Sequence, residues 1–206
     1  MSDLRLTPRP FYFVRHGETD WNRLRVMQGH TDRPLTDIGL AQAAQVAPAA
    51  AKEPIATVCT SPLLRARRTA EILNEGLQRP LVMLDNLKEC SFGIYEGSSS
   101  RGDWRQPWLD GGVIEGGERL PDFIERALSG LNEALAHPGP VLVVAHGGIF
   151  WAIERYALKR EQSGIPNCTL FKLEPGASPD DVWSVSEVAA PNLEAAAAGE
   201  AYVNKT

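Results

Sequence analysis

One histidine of this sequence stands where chemistry on an anionic ligand is expected. His16 comes directly after an apolar, strand-like run, with Arg15 before it and Gly17 after it. Arginine offers a permanently charged fork of donors that matches phosphate oxygens, and glycine lets a ligand approach the backbone closely. An imidazole with one neutral nitrogen can act there as a nucleophile. The trio therefore favours phosphate chemistry, although a histidine of this kind, taken alone, is more often a merely hydrogen-bonded residue.

A second histidine repeats the arrangement. His146 follows an apolar run and precedes Gly147 and Gly148, a pair suited to opening a helix. Ligands of open parallel α/β sheets bind beyond the carboxyl ends of the strands, so we expect both histidines to converge at one sheet edge. A metal site is the main rival interpretation, but Arg15 would repel a cation, and the sequence lacks typical metal-ligand spacing. We therefore predict neither a bound metal nor a cofactor.

The elements that must position these histidines alternate between strands and helices. Strands are predicted at 11–15, 55–60, 81–84, 141–145, 169–173 and 182–188, and helices at 36–51, 63–76, 121–137 and 147–158. Thr36 is the expected N-cap of the first helix, Gly76 the C-cap of the second, and Pro121 a first-turn residue of the third. This alternation predicts an α/β fold with a mostly parallel sheet covered by helices on both faces.

Two segments depart from the alternation. Residues 98–118 are rich in serine and glycine and contain Trp104 and Trp108, so we predict a short cap or specificity loop. Such tryptophans either clamp the non-reacting part of a substrate or anchor a surface loop on the core. Residues 192–206 are predicted to form a loosely held tail. The length of the chain, residues 1–206, suits a single domain.

Composition narrows the classes of partner. The 21 basic and 26 acidic residues give a net charge of −5, which disfavours nucleic acid as the main partner, and no apolar run is long enough to cross a membrane. The three cysteines lack the spacing of a disulfide framework or a zinc site, which is typical of reduced thiols in a cytoplasmic protein. The sequence is compatible with a homodimer but does not demand one.

Beyond these patterns, the sequence resembles the histidine phosphatase superfamily, in its phosphoglycerate mutase-like branch. The matching blocks stand in the family's order and span most of the chain: RHGETDWN at 15–22, QGHTDRPLT at 28–36, SPLLRARRTAEI at 61–72, LKECSFGIYEG at 87–97, GGE at 116–118, VVAHGG at 143–148 and NCTL at 167–170. The resemblance implies a three-layer α/β/α sandwich. It also implies a two-step, metal-independent reaction through a phosphohistidine.

The resemblance further implies a role for each matching residue. His16 matches the nucleophile, and Glu89 matches the general acid that protonates the leaving oxygen and then activates water. Arg15, Arg65 and His146 match the residues that hold the phosphoryl group, and we expect His146 to act as a cation. The remaining predicted contacts to phosphate or substrate are Asn22, Gln28, Gly29 and Gly147.

Several charged residues near these blocks are assigned structural roles instead. Glu18 and Asp20 are closest in sequence to His16, but acidic residues there complement the start of a helix. Thr19 is expected to act as a capping group. Arg67 and Arg68 are expected to be solvated charges on a helix.

Two departures from the family's mutases favour hydrolysis. The segment between Gly97 and the GGE turn is shorter than in full-length cofactor-dependent mutases, and Phe92 stands in place of a tyrosine near the acid. We predict a phosphomonoesterase that acts on a small phosphorylated metabolite. A 2,3-bisphosphoglycerate-dependent phosphoglycerate mutase and a non-catalytic phospho-ligand-binding domain stay open as alternatives, and the physiological ester is not specified.

Overall fold

The computed structural model describes residues 5–100, 102–178 and 181–192. The strands are β1 Phe11–Arg15, β2 Thr57–Thr60, β3 Leu81–Met83, β4 Val141–Ala145, β5 Leu170–Glu174 and β6 Ser184–Ala189. The helices are α1 Asp20–Leu24, α2 Asp37–Ala50, α3 Leu64–Leu77, α4 Arg105–Leu109, α5 Leu120–Leu135 and α6 Gly147–Tyr156. Two 3-10 segments, Asp85–Leu87 and Gly93–Tyr95, lie between β3 and α4.

The six strands form one sheet in the order β3-β2-β4-β1-β5-β6. Strands β1 to β4 pair in parallel, whereas β5 runs antiparallel to β1, and β6 runs antiparallel to β5. Arg15 at the end of β1 lies opposite Ala145 at the end of β4. The prediction of a mostly parallel sheet is confirmed, and the residues that follow β1 and β4 are neighbours at its carboxyl edge.

Alternate residues of the central strands supply two separate apolar cores. Phe13 and Val143 point to the face covered by α5 and α6, where they join one buried cluster. Val14 and Leu142 point to the opposite face and pack with α2 and α3 in a second cluster. Because side chains of a strand alternate between faces, a strand that is apolar throughout must be covered on both sides. The three-layer α/β/α sandwich is therefore confirmed.

The predicted helix start at Thr36 is confirmed, but the predicted C-cap at Gly76 is wrong. The Thr36 hydroxyl accepts a hydrogen bond from the backbone N–H of Gly39. Helix α3 continues through Leu77, and Gln78 takes the left-handed C-cap conformation at φ +53°. Because Leu77 is buried against the second core, its packing extends the helix past the glycine.

Short elements and strand ends also differ from the predictions. Helices α1 and α4 have five residues each and were not expected, and β2 begins at Thr57 rather than at residue 55. The predicted tail lies outside the described residues except for Asn192, whose N–H donates to Gln45 Oε1. Among the helices that the structure describes, none is long and apolar enough to cross a lipid bilayer.

Candidate active site

The two histidines meet at the carboxyl edge of the sheet. His16 follows β1 and His146 follows β4, and their ring centroids are 5.2 Å apart. The backbone N–H of His16 donates to the carbonyl of Ala145 at 3.0 Å, which extends the parallel pairing one residue beyond the strands. Both side chains are buried, with exposed fractions of 2% and 0%. The convergence expected from the two His-Gly patterns is therefore present.

The hydrogen bonding of His16 leaves one ring nitrogen available for attack. Nδ1 lies 2.8 Å from the carbonyl oxygen of Gly17, and because a carbonyl only accepts, Nδ1 carries the proton and Nε2 the lone pair. Burial lowers the pKa of His16 well below its usual value, and the charges of Arg65 and Arg15 lower it further. The ring is therefore neutral near pH 7, as a nucleophilic imidazole must be.

His146 is neutral as well, so the expectation that it is a cation is wrong. Its complete burial lowers its pKa well below the usual histidine value, and the Arg65 charge adds to the effect. Nε2 lies 2.8 Å from the hydroxyl of Ser61. Nδ1 is buried and has no hydrogen-bond partner within the described structure. His146 can therefore serve the site as a neutral hydrogen-bonding group.

Two arginines, the buried Arg65 and the partly buried Arg15, lie beside the histidines. Arg15 donates through NH1 to the carbonyl of Ile165 at 2.7 Å. Arg65, 1% exposed, donates through NH2 to the carbonyl of Gly29 at 2.8 Å and through NH1 to that of Thr31 at 3.1 Å. The Nε atom of each arginine is buried without a partner in the described part of the chain. Buried unpaired donors are costly, by about 1–3 kcal/mol each, so an oxyanion at this position would offset that cost.

The carboxylate of Glu89 faces the same cavity. It accepts hydrogen bonds from the N–H of Gly148, at 3.1 Å to each oxygen, and from that of Cys90 at 3.0 Å. Gly148 is the second residue of α6, so the carboxylate lies at a helix N-terminus, where negative charge is favoured. A Cβ at Gly148 would lie 2.2 Å from Glu89 Oε1 and 2.9 Å from the Phe123 ring. Glycine is therefore required here by close approach.

The other predicted contact residues line the same cavity, which has a volume of about 400 Å³. Gln28 is buried, and its Oε1 has no partner among the described residues. Asn22 forms a reciprocal capping box with Thr19, so the predicted capping role of Thr19 is confirmed. All of the predicted site residues line this cavity except His146, which is fully buried against His16: the lining members are Arg15, His16, Asn22, Gln28, Gly29, Arg65, Glu89 and Gly147.

The charged residues that were assigned structural roles do hold such positions. Glu18 accepts a hydrogen bond from the Thr36 hydroxyl at 2.9 Å, and Asp20 forms an ion pair with Arg33. Arg67 and Arg68 are partly exposed, and both pair with Glu71, which lies four residues after Arg67 and three after Arg68 on α3. These side chains therefore support the helices rather than the cavity.

The cap segment contributes one wall of the cavity. Trp104 stacks on Tyr95 with centroids 4.8 Å apart, and this contact anchors the segment on the body of the protein. Trp108 lines the cavity and donates through its indole N–H to the carbonyl of Glu118 at 2.9 Å. Arg105 also lines the cavity and bonds Gln162 across its mouth at 2.9 Å. Both tryptophans therefore anchor the segment, and Trp108 also forms part of the cavity wall.

Sequence reasoning missed three residues that hydrogen-bond to the site residues or to their loop without being predicted to contact the ligand. Asn167 donates to the carbonyl of His16 at 2.7 Å, and Ser61 contacts His146. Glu96 accepts the N–H groups of His30 and Thr31. All three residues lie inside the blocks that carry the family resemblance, which was the available signal. Their contacts go to backbone or to a neighbouring ring, however, and residue spacing does not reveal such partners.

The neutral state of the buried histidines predicts how the free energy of unfolding depends on pH. Because the pKa of His16 in the folded protein lies below the usual value of about 6.5, the unfolded chain binds protons that the native state does not. The free energy of unfolding should therefore fall as the pH drops below about 6.5. Denaturant unfolding at successive pH values measures this slope, which should be smaller in a His16→Gln variant. An equal slope in both proteins would contradict the depressed pKa.

Comparisons with known proteins agree with this geometry. Residues 11–181 match the model of the histidine phosphatase superfamily, branch 1. The chain is 33% identical over 209 residues to the "Probable phosphoglycerate mutase GpmB" of Cronobacter sakazakii, covering 89% of this chain and 96% of the relative. It is 39% identical over 142 residues to the "Uncharacterized phosphatase PhoE" of Bacillus subtilis, covering 68% and 72% respectively.

A solved structure extends the similarity to the fold. The mycobacterial glucosyl-3-phosphoglycerate phosphatase, in its complex with VO3, superposes with a TM-score of 0.73 at 26% identity, covering 86% of this chain and 97% of that one. Residues 11–181, which match the family model, include every predicted site residue described above. The chain belongs to branch 1 of the histidine phosphatase superfamily and is an enzyme of the phosphatase and mutase type.

Proposed function

We propose that this protein is a metal-independent phosphomonoesterase that works through a phosphohistidine at Nε2 of His16. The observation that carries the proposal is a buried, neutral His16 whose Nδ1 is bound to a carbonyl. Around it lie buried donors on Arg15 and Arg65 that lack partners in the described structure. Such a pocket suits a group that brings several oxygen acceptors and an electrophilic phosphorus atom.

In the first step, Nε2 of His16 attacks phosphorus and the bond from phosphorus to the ester oxygen breaks. The Glu89 carboxyl donates its proton to the departing oxygen, so the product leaves as an alcohol. In the second step, Glu89 takes a proton from water while the water oxygen attacks phosphorus and the bond from phosphorus to Nε2 breaks. A positioned acid of this kind contributes about 10²–10⁴-fold, which an alkoxide leaving group needs.

The protein supplies positive charge through side chains. Phosphoryl transfer depends mainly on positioning and on stabilising charge at the transferring oxygens. Arg15 and Arg65 are each held by backbone carbonyls, so little reorganisation is needed when the ester binds. We assign both residues to the equatorial oxygens, with His146, Asn22 and the backbone at Gly147 as further contacts.

The substrate that we propose is a small ester with a polar body. A cavity of about 400 Å³ has room for more than the phosphoryl group. Trp108 and Trp151, with centroids 6.3 Å apart, offer aromatic surface, while Arg105 and Gln28 offer polar groups. The similarity to a glucosyl-3-phosphoglycerate phosphatase makes that ester a first member of the test panel.

A phosphoglycerate mutase is the second candidate, favoured by the 33% identity to a relative of that name across 89% of the chain. We prefer the hydrolase because Phe92 packs against Trp108 at 5.4 Å and presents no hydroxyl that would retain a second acid group. A mutase needs such groups to keep its intermediate bound for back-transfer. A non-catalytic phospho-ligand-binding domain is the third candidate, and any specific turnover would dismiss it.

We expect the protein to release inorganic phosphate from p-nitrophenyl phosphate at an equal rate with and without EDTA. Loss of turnover on chelation would overturn the metal-independent step.

Adding 2,3-bisphosphoglycerate to 3-phosphoglycerate separates hydrolase from mutase, since a hydrolase shows no stimulated isomer exchange. A panel of phosphorylated metabolites, including glucosyl-3-phosphoglycerate, then ranks the esters by kcat/KM.

For its setting, we propose a cytoplasmic enzyme that acts without nucleic acid or membrane partners. The three cysteines are free thiols buried in the fold, as expected where thiols are kept reduced, and the net charge is −5. Cell fractionation tests the location. Light scattering decides between a monomer and a homodimer, both of which the chain is compatible with.

A further inference from the structure

The proposed general acid, Glu89, lies in a stretch without regular secondary structure. Glu89 stands between the 3-10 segment Asp85–Leu87 and the one that begins at Gly93. A side chain on such a stretch is not placed by a strand or helix ladder, so other groups must hold its backbone. The contacts that do so come from a different part of the chain.

Arg126, on α5, binds three carbonyls of this stretch. Its NH1 donates to Asn86 O at 3.0 Å and to Lys88 O at 2.9 Å, and its NH2 donates to Glu89 O at 3.0 Å. The carbonyl of Glu89 also lies 2.8 Å from Nε2 of His30. A guanidinium is the only side chain with enough donors in a fixed plane for this task.

Arg126 is itself locked by Glu118 of the GGE turn. Arg126 Nε lies 2.7 Å from Glu118 Oε1, and NH2 lies 2.7 Å from Oε2, a two-point pairing. Glu118 Oε2 also accepts the N–H of Ser91 at 2.8 Å. Burial raises the pKa of Glu118, but the bonds from Arg126 and Ser91 outweigh it and leave the pKa below the usual value. The pair therefore grips the backbone on both sides of Glu89.

Neither partner belongs to the cavity wall. The described residues that line the cavity include Glu89 and Cys90 but not Glu118 or Arg126. Arg126 is on α5, which packs on the face of the sheet that carries the larger core. The pair connects that rigid layer to the proton-transferring carboxyl without reaching the substrate.

We propose that Arg126, locked by Glu118, is the positioning residue for the general acid Glu89. This inference rests on the proposed function, because it assigns the pair to the one group that moves the proton. Misplacing a catalytic group by about 1 Å can cost about 10²-fold in rate. The loss should fall on proton transfer to the leaving oxygen and spare both the binding of the phosphoryl group and the attack by His16.

Comparing two esters whose leaving groups differ in their need for a proton distinguishes this positioning role from a general structural one. p-Nitrophenolate leaves without help from an acid, whereas the alkoxide of glycerol phosphate needs a proton. In an Arg126→Lys variant, we expect the single-turnover rate of His16 phosphorylation to stay nearly unchanged with p-nitrophenyl phosphate. With glycerol phosphate we expect it to fall about 10²-fold, as in a Glu89→Gln variant. Equal losses with both esters would overturn the proposal.

A double variant and a control complete the test. If Arg126 acts through Glu89, adding Arg126→Lys to Glu89→Gln should cause no further loss with glycerol phosphate, and an additive loss would contradict the role. Glu118→Gln, which keeps the side-chain shape, should show the same dependence on leaving group if Arg126→Lys does not fold. Arg68→Lys, a partly exposed residue paired with Glu71, should change neither rate. A wild-type protein that forms no phosphohistidine would instead refute the proposed function itself.

Discussion

Replacing His16 with alanine should lower kcat by at least about 10⁴-fold, since losing the nucleophile of a covalent mechanism removes the entire two-step route. The buried methyl group would leave Arg15 and Arg65 in place, so substrate binding should persist while turnover stops. Steady-state release of phosphate measures the loss. Labelling with a radioactive phosphate ester should give an acid-labile, base-stable phosphoprotein in the wild type and none in the variant.

A matched control uses another histidine. His137 lies just past the end of α5, before β4, and is not among the described residues that line the cavity, so His137→Ala should keep full turnover and full labelling. Thermal unfolding of both variants checks that each is folded. Turnover that survives in His16→Ala would show that phosphate leaves the ester by another route.

Replacing Arg65 with alanine should produce the second largest loss. A guanidinium that stabilises transferring oxygens is worth about 10³–10⁵ in kcat for other phosphoryl-transfer enzymes, and we expect kcat/KM to fall within that range. Arg65→Lys keeps the charge but not the fork, and should recover only part of the loss. Measuring kcat/KM for both variants with one aryl phosphate gives the comparison.

The same substitution should also destabilise the loop at Gly29, which we propose as a substrate contact. Arg65 binds the carbonyls of Gly29 and Thr31, and the same loop is held on its other side by Glu96, whose carboxylate accepts the N–H of Thr31 at 2.8 Å. At Gly29, φ is +50° and a Cβ would lie 2.1 Å from Glu96 Oε1. Losing Arg65 leaves two carbonyls without a donor, so the melting temperature should fall as well.

Arg68 provides the control on the same helix. It is partly exposed and pairs with Glu71 at 3.2 Å, a surface contact worth little. Arg68→Ala should therefore leave kcat/KM and the melting temperature nearly unchanged. Equal activity in Arg65→Ala and Arg68→Ala would refute a phosphate-binding role for Arg65.

Some of the site could be predicted because its signal is local. His16 and His146 each end an apolar strand, and parallel strands present their carboxyl ends at one edge, so the pattern of each segment was enough to place the two rings together. The layers followed from the alternation of elements, since strands that are apolar throughout need cover on both faces. Element ends were less predictable. The C-cap of α3 is Gln78 rather than the predicted Gly76, because the buried Leu77 packs on the core and extends the helix.

Sequence alone determined which residue types are available for the chemistry: a candidate nucleophile, two guanidinium groups and a candidate acid. Tertiary structure decided their states. His146 is neutral because it is enclosed beside Arg65 and Arg15, and Glu89 is held through Arg126, 37 residues away in the chain. Charge states depend on exclusion of water and on the charges nearby, and backbone clamps depend on which distant atoms come within hydrogen-bonding distance. The burial that sets the charge states and the contacts that hold the backbone both arise only when the chain folds.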